Sequence, residues 1–243
     1  MKPLFALDPA ADVAGAAARF AATGRAQLRG VLTDATAREL QAILARGTRW
    51  GMSAQAGTTG APRFFAQHEM AGAGTAAVNT LANAAAAQSA QGEYGFRFAS
   101  YPIVRAVQER WPDGAVHEMV LEHLNAEPFL ELARTVTGMP DLVKADGQAT
   151  LFAANHYLGR HIDSHVAEGW RVAYVLNLAR EDWHPDWGGY LLFLDEDGDV
   201  VEGFRPRFNA LNLFAVPQSH LVSYVPPFAP LGRFAITGWL RDR

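Results

Sequence analysis

The chain has 243 residues, 49% of them hydrophobic, with 25 acidic and 21 basic side chains and a formal net charge of −4. That length allows a sizeable core in one domain with an elaboration, and the mildly acidic balance without a long basic run argues against nucleic acid or a membrane surface as partner. Cysteine is absent, which excludes thiolate catalysis, disulfides and cysteine-ligated zinc or iron–sulfur centres and leaves His, Asp and Glu for any metal.

No stretch is long and apolar enough to span a bilayer, and Met1 to Asp8 lacks the pattern of a secretory signal, so a soluble cytoplasmic protein is expected. The first half reads as largely helical and rich in alanine. Ala10 to Ala22 has apolar residues at helical spacing and stops at Thr23-Gly24, and Arg25 to Arg29 follows as a short strand. Thr33 or Asp34 caps the next helix, Thr36 and Glu39 have capping-box spacing, Leu40, Ile43 and Leu44 form its stripe, and Gly47 ends it. Trp50 to Pro62 reads as a Gly-, Ser- and Thr-rich loop that, with Arg63, Phe64 and Phe65, borders a substrate entrance. Thr75 to Ala90 predicts a helix and Gly92 to Phe98 a turn or edge strand. Ser100-Tyr101-Pro102 introduces a helix reaching Trp111, and Asn125 caps one with Pro128 in its first turn and Gly138 beyond its end. Its stripe of Phe129, Leu132, Ala133 and Val136 reads as packing.

From Gln148 the texture changes to short β-type runs: Ala149 to Ala154, Leu158 to Asp163, Arg171 to Leu178, Tyr190 to Asp195, Asn209 to Ala215, His220 to Val225 and Arg233 to Leu240. This spacing predicts a β-sandwich or barrel, with a tight hairpin at the Asp-Gly pair of Asp195 to Asp199 and a loop over Glu181 to Gly189. The expected units are a helical support region over 1–147 and a β-core over 148–243, packed as one compact domain.

Chemistry concentrates in the β-half. In a strand, side chains at i and i+2 share a face, so His161 and Asp163 form a two-ligand half-site and His220 can supply the third ligand. Two imidazoles and one carboxylate on one face of a metal leave positions open, the arrangement of non-haem Fe(II) oxygenases. His165 is the alternative to His161, but the His-x-Asp order favours His161; His68, His117, His123, His156 and His184 have no partner pattern. On the last strand Arg233, Ala235, Thr237 and Trp239 alternate onto one face. An inward arginine needs an anionic partner. A dicarboxylate cosubstrate would provide one, through a two-pronged ion pair, while its 2-oxo acid end meets the metal; a structural ion pair is the alternative.

His161-x-Asp163, then His220, then Arg233 thirteen residues later resembles the Fe(II)/2-oxoglutarate-dependent dioxygenases, specifically their prolyl 4-hydroxylase-like branch. Arg233-Phe234-Ala235-Ile236-Thr237-Gly238-Trp239 is similar to the final strand of the oxygen-sensing prolyl hydroxylases. Arg171 to Leu178, with the Trp-containing loop and Gly188-Gly189 after it, resembles the ribosomal prolyl hydroxylases. The resemblance covers roughly 148–241. It implies an α+β fold with a mainly β core, a distorted double-stranded β-helix (jelly roll) braced by N-terminal helices. It implies Fe(II) on His161, Asp163 and His220, and 2-oxoglutarate and O2 as cosubstrates with ascorbate as reductant. Arg233 and Thr237 would face 2-oxoglutarate, with Asn155, Tyr157 and Tyr174 as further candidates.

Two departures stand out. Phe152 occupies the place, nine residues before the first histidine, where relatives often carry a cosubstrate-binding tyrosine, and a second family tyrosine falls on Val175. The loop between Asp163 and Trp170 is also short. Asp163 argues against a halogenase, which needs that carboxylate position free. The expected reaction is hydroxylation of a prolyl residue of a protein, with a free amino acid or other small metabolite as the alternative substrate. An open groove lined by Phe64, Phe65 and the loop from Trp183 to Trp187 would suit a peptide. A non-catalytic binding module is the rival from another class, and monomer and homodimer are both open.

Overall fold

The computed structural model describes residues 5–112, 114–163 and 165–243, the side chains of Ala73 and His165 aside. In chain order the regular elements are α1 (Val13–Thr23), β1 (Arg25–Arg29), α2 (Asp34–Ala42), β2 (Gly51–Ala56), β3 (Arg63–Phe65), α3 (Ala73–Ser89), β4 (Gly95–Tyr101), α4 (Ile103–Gln108), α5 (Ala115–Leu124) and α6 (Glu127–Thr137). There follow β5 (Lys144–Ala145), β6 (Gln148–Phe152), β7 (Tyr157–Ile162), β8 (Trp170–Leu178), β9 (Leu191–Leu194), β10 (Val200–Phe204), β11 (Phe208–Ala215), β12 (Ser219–Val222) and β13 (Arg233–Arg241).

Local chemistry sets the helix ends. Asp12 accepts from the Gly15 N–H at the start of α1, and Gly24, at φ 67°, donates back to the Phe20 carbonyl at its end. Pro128 sits in the first turn of α6 and Gly138, at φ 68°, closes it. The expected capping box on α2 does not form: Thr33 spends its hydroxyl on Thr36, and α2 runs on into a π-turn over Ile43–Gly47.

Every strand pairing is antiparallel, and the strands run β1-β11-β8-β13-β6-β4-β7-β12-β9-β10, with β2 on β4 and β3 on β2. The order turns a corner at β4, whose far half pairs β6 and near half β7. A large sheet and a smaller one, β7-β12-β9-β10, therefore face each other as a roll. Alternation sorts the large sheet's side chains. Val172, Tyr174, Leu176 and Leu178 of β8, with Phe234, Ile236 and Leu240 of β13, pack outward against Phe20, Leu124, Phe129 and Ala133 of the helices. Ala173 and Val175, with Phe193, Phe204 and Phe214, fill the interior of the roll. At about 25 cal/mol per Å² of apolar surface, the outward layer is the chief stabiliser of the helix brace.

The structure corrects the first-half reading in several places. The stretch read as a loop over Trp50 to Pro62 is mostly the hairpin β2–β3. Its small residues disguise a strand: a Cβ on Gly51 would lie 2.3 Å from the Phe65 carbonyl oxygen, so the close backbone approach demands glycine there. The stretch read as a turn or edge strand, Gly92 to Phe98, contains β4, an internal strand bonded to β2, β6 and β7. Two further strands were not anticipated: β5, only two residues long, and β10, whose Val200 and Val201 are exposed and sit in an acidic stretch. Asn125 ends α5 rather than capping α6, its side chain bridging the Leu121 and Ala145 carbonyls.

Candidate metal and cosubstrate site

β7 and β12 place the two histidines directly opposite each other, His220 in register with His161. Their ring centroids are 4.2 Å apart. Asp163 follows the end of β7 on the face of His161, and one ligand atom from each of the three lies within 4.8 Å of the others. His161 Nδ1 sits 2.9 Å from the Gly159 carbonyl oxygen and His220 Nδ1 2.9 Å from the Gln218 carbonyl oxygen. With Nδ1–H donating to a carbonyl in both rings, each Nε2 lone pair points at Asp163, at 3.8 Å from Oδ1 for His161 and 3.7 Å from Oδ2 for His220. Those gaps exceed hydrogen bonds. They match donors sharing one ion, since bonds of about 2.1 Å put two ligands roughly 3 to 4 Å apart. Burial, then the neighbouring charge of His161, lowers the His220 pKa to about 4, so its ring is neutral at pH 7 and free to ligate. The donor set thus fits an octahedral Fe(II) with open positions.

Arg233 is the second feature. It is 3% exposed, its Nε donates to the Gly189 carbonyl oxygen at 2.6 Å, and its guanidinium carbon lies 4.3 Å from the Phe152 ring centroid. No carboxylate pairs with it among the described residues, and burial lowers its pKa to about 9. The structural ion pair weighed as its alternative role is therefore not formed. Beside it, Thr150 is buried with its hydroxyl unpartnered. Phe152, Thr150 and Gln148 of β6 lie opposite Arg233, Ala235 and Thr237 of β13, so the arginine, the free hydroxyl and Thr237 share one face of adjacent strands. A buried cation and an orphaned hydroxyl around the small Ala235 suit a carboxylate of the size 2-oxoglutarate carries.

Both features line one cavity of about 880 Å³, walled also by Tyr94, Phe96, Phe98 and Trp239. Tyr94 lies against His161 at 6.1 Å between centroids, and burial and then the Asp163 charge raise its pKa to about 12. The hairpin reaches the rim through Gln55, Thr58 and Pro62.

The other expected residues fall elsewhere. Tyr174 points to the helix side of β8, where its hydroxyl donates to the Asp146 carbonyl oxygen and its ring meets Phe129. Asn155 sits exposed in a turn at φ 66°, accepting from the Tyr224 hydroxyl. Tyr174 borders the cavity, but its hydroxyl is spent on the helix side of β8, and the turn carries Asn155 away. Tyr157 is likewise engaged, by the Ser89 hydroxyl. Phe64 stacks on Trp111, and Trp183 is buried with its indole N–H on the Gly188 carbonyl; neither lines the cavity. Sequence reasoning missed Thr150, whose signal was its place two residues before Phe152 in a strand facing Arg233. Trp239, placed by alternation on the face of Arg233, donates its indole N–H to Asp163.

Residues 147–241 match the family model described as the 2OG-Fe(II) oxygenase superfamily. Among solved structures, a 2OG-Fe(II) oxygenase family oxidoreductase from Burkholderia pseudomallei aligns with a TM-score of 0.62 at 14% identity, over 98% of this chain and 94% of that one. A Pseudomonas putida prolyl-4-hydroxylase aligns with a TM-score of 0.57 at 20% identity, over 94% of this chain and 98% of that one. No curated protein matches the sequence. The roll is the distorted double-stranded β-helix expected from the sequence, and its segment 147–241 is similar to the 2OG-Fe(II) oxygenase superfamily.

Proposed function

We propose that the protein hydroxylates a prolyl residue of a protein substrate, with Fe(II) on His161, Asp163 and His220 and 2-oxoglutarate on Arg233. The convergence of a His-Asp-His cluster and an unpaired buried arginine on one cavity carries the reading. His161, Asp163 and His220 would hold iron that, with 2-oxoglutarate on Arg233, would supply O2 activation, yielding succinate, carbon dioxide and a hydroxyl on the substrate, with ascorbate as reductant for the metal.

The chain's own residues do the rest. Gly159 and Gln218 carbonyls hold both imidazoles in the ligating tautomer, and Trp239 fixes the Asp163 carboxylate. Arg233, Thr150 and Thr237 select a dicarboxylate, the Gly189 carbonyl aiming the guanidinium. Tyr94, Phe96 and Phe98 keep the wall apolar and limit water.

A cavity of about 880 Å³ holds a five-carbon dicarboxylate and the end of one side chain, which suits a prolyl ring presented from outside. The structurally similar Pseudomonas putida protein is a prolyl-4-hydroxylase, which supports the same substrate class. The size also suits a free amino acid. Incubation with Fe(II), 2-oxoglutarate and ascorbate, against a panel of proline-containing peptides and free amino acids, separates the two. The prolyl reading expects one added oxygen atom on proline within a peptide; oxygen added only to free amino acids overturns it.

A further inference from the structure

The sheet of β1 and β11 carries a second concavity on the face away from the helices, toward β10, lined by Gln27, Arg29, Tyr190, Arg205 and Arg207 with Arg19 and Glu202 at one end, about 560 Å³ in volume. It shares no lining residue with the oxygenase cavity. A recess of about 280 Å³ continues on the other side of the same three arginines, Arg29, Arg205 and Arg207.

The charge there is uncompensated. Glu202 pairs with Arg19 and Arg25, and Asp34 and Glu181 both pair with Arg38. Among the described residues no carboxylate pairs with Arg29, Arg205 or Arg207. Arg29 and Arg207 instead aim their Nε–H groups at one neutral acceptor, the Gln27 side-chain oxygen, at 3.4 and 3.0 Å. Gln27 is held in turn by donating to Asn212 at 3.0 Å. Arg205 donates one terminal N–H to the Trp183 carbonyl at 3.3 Å and leaves its Nε buried without a partner. Burial, and then the charges of Arg29 and Arg205, lower the Arg207 pKa. Three like charges converging in a concavity, in a chain that is net acidic, raise each other's energy unless an anion joins them. Guanidinium forks match the oxygens of a phosphoryl group two at a time. The arginines cluster in one recess rather than forming a stripe, which suits one or two phosphoryl groups rather than a nucleic-acid backbone.

We propose that Arg29, Arg205 and Arg207 form a second binding site, separate from the oxygenase cavity, for a small phosphorylated molecule.

The test is calorimetric titration of the purified full-length protein with inorganic phosphate, inorganic pyrophosphate and a short oligothymidylate. Wild type is compared with Arg207→Ala, the exposed-site variant Arg29→Gln, and Arg233→Ala, each checked for folding by circular dichroism. Saturable one-to-one binding of pyrophosphate or phosphate is expected, weakened about tenfold in Arg207→Ala and Arg29→Gln and unchanged in Arg233→Ala. No saturable binding to wild type, wild-type affinity retained in both recess variants, or loss confined to Arg233→Ala overturns the site. Oligothymidylate binding more tightly than pyrophosphate, with the same dependence on Arg207 and Arg29, overturns the small-molecule assignment in favour of a nucleic-acid surface.

Discussion

The indole N–H of Trp239 donates to Oδ2 of Asp163 at 3.0 Å, tying the last strand to the carboxylate that β7 presents. Trp239 is itself clamped against Trp170, the rings 3.8 Å apart and 17° from parallel. Removing the donor while keeping the ring, in Trp239→Phe, frees the carboxylate to rotate. Metal affinity should fall about tenfold, the lower end for lost outer hydrogen bonds to ligands. Titration of the metal-free protein with Co(II), followed by its visible absorbance, measures this; an unchanged affinity would show that packing alone fixes Asp163.

Thr150 has the free hydroxyl nearest Arg233 in the strand register. Thr150→Val keeps the shape and removes the donor, so 2-oxoglutarate affinity should drop about tenfold, as for one lost hydrogen bond to a charged group. Thr150→Ser should restore most of it. Equal dissociation constants for wild type and Thr150→Val, by calorimetry with Mn(II), would remove Thr150 from the cosubstrate seat.

Gly189 sets where the arginine lies. Its φ of 68° disfavours other residues, and a Cβ there would come 2.6 Å from Arg233 Cδ and 2.8 Å from Nε. Gly189→Ala should displace the guanidinium and weaken 2-oxoglutarate binding about tenfold or more, a shift of 1 Å sufficing. Metal affinity should stay put, because the His-Asp-His cluster stands on other strands. Loss of both together would indicate a general collapse of the cavity.

His156 is buried, with the Ala153 N–H donating to its Nδ1 at 3.0 Å, and burial chiefly lowers its pKa to about 4. The unfolded chain, near 6.5, binds the proton more readily than the folded one. The neutral ring's contribution is complete above about pH 6.5 and is lost as pH falls toward 4. A shift of that size corresponds to about 3 kcal/mol at most. Urea unfolding at pH 7 and pH 4.5 should show wild type losing more stability on acidification than His156→Gln. Equal losses would mean that other groups govern the acid limb.

The metal cluster and Arg233 were legible because period-two alternation and spacing suffice to place them: His161 and Asp163 share a face whatever surrounds the strand. Alternation alone did not decide the side taken by Tyr174. It and Val175 are both apolar enough for either side of β8, and only the α6 contact through Phe129 decides which faces the helices. Asn155 was misread because a turn residue's direction depends on its φ of 66°, which sequence does not display. The β2–β3 hairpin stayed hidden for another reason. Gly51, Ser53 and Ala54 are strand residues chosen for tight backbone approach and not for β-propensity, so composition pointed to a loop. The recess arginines gave no signal as a cluster, since Arg29 and Arg207 lie far apart in the chain and meet only when β1 pairs β11.

The central claim is that one cavity holds both metal and 2-oxoglutarate, and anaerobic titration of metal-free protein with Fe(II) and then 2-oxoglutarate tests it most directly. The account predicts a weak visible charge-transfer band that is absent in His161→Ala and needs at least about tenfold more 2-oxoglutarate in Arg233→Ala. A folded wild-type protein that gives no band, or one that persists unchanged in both variants, would contradict it.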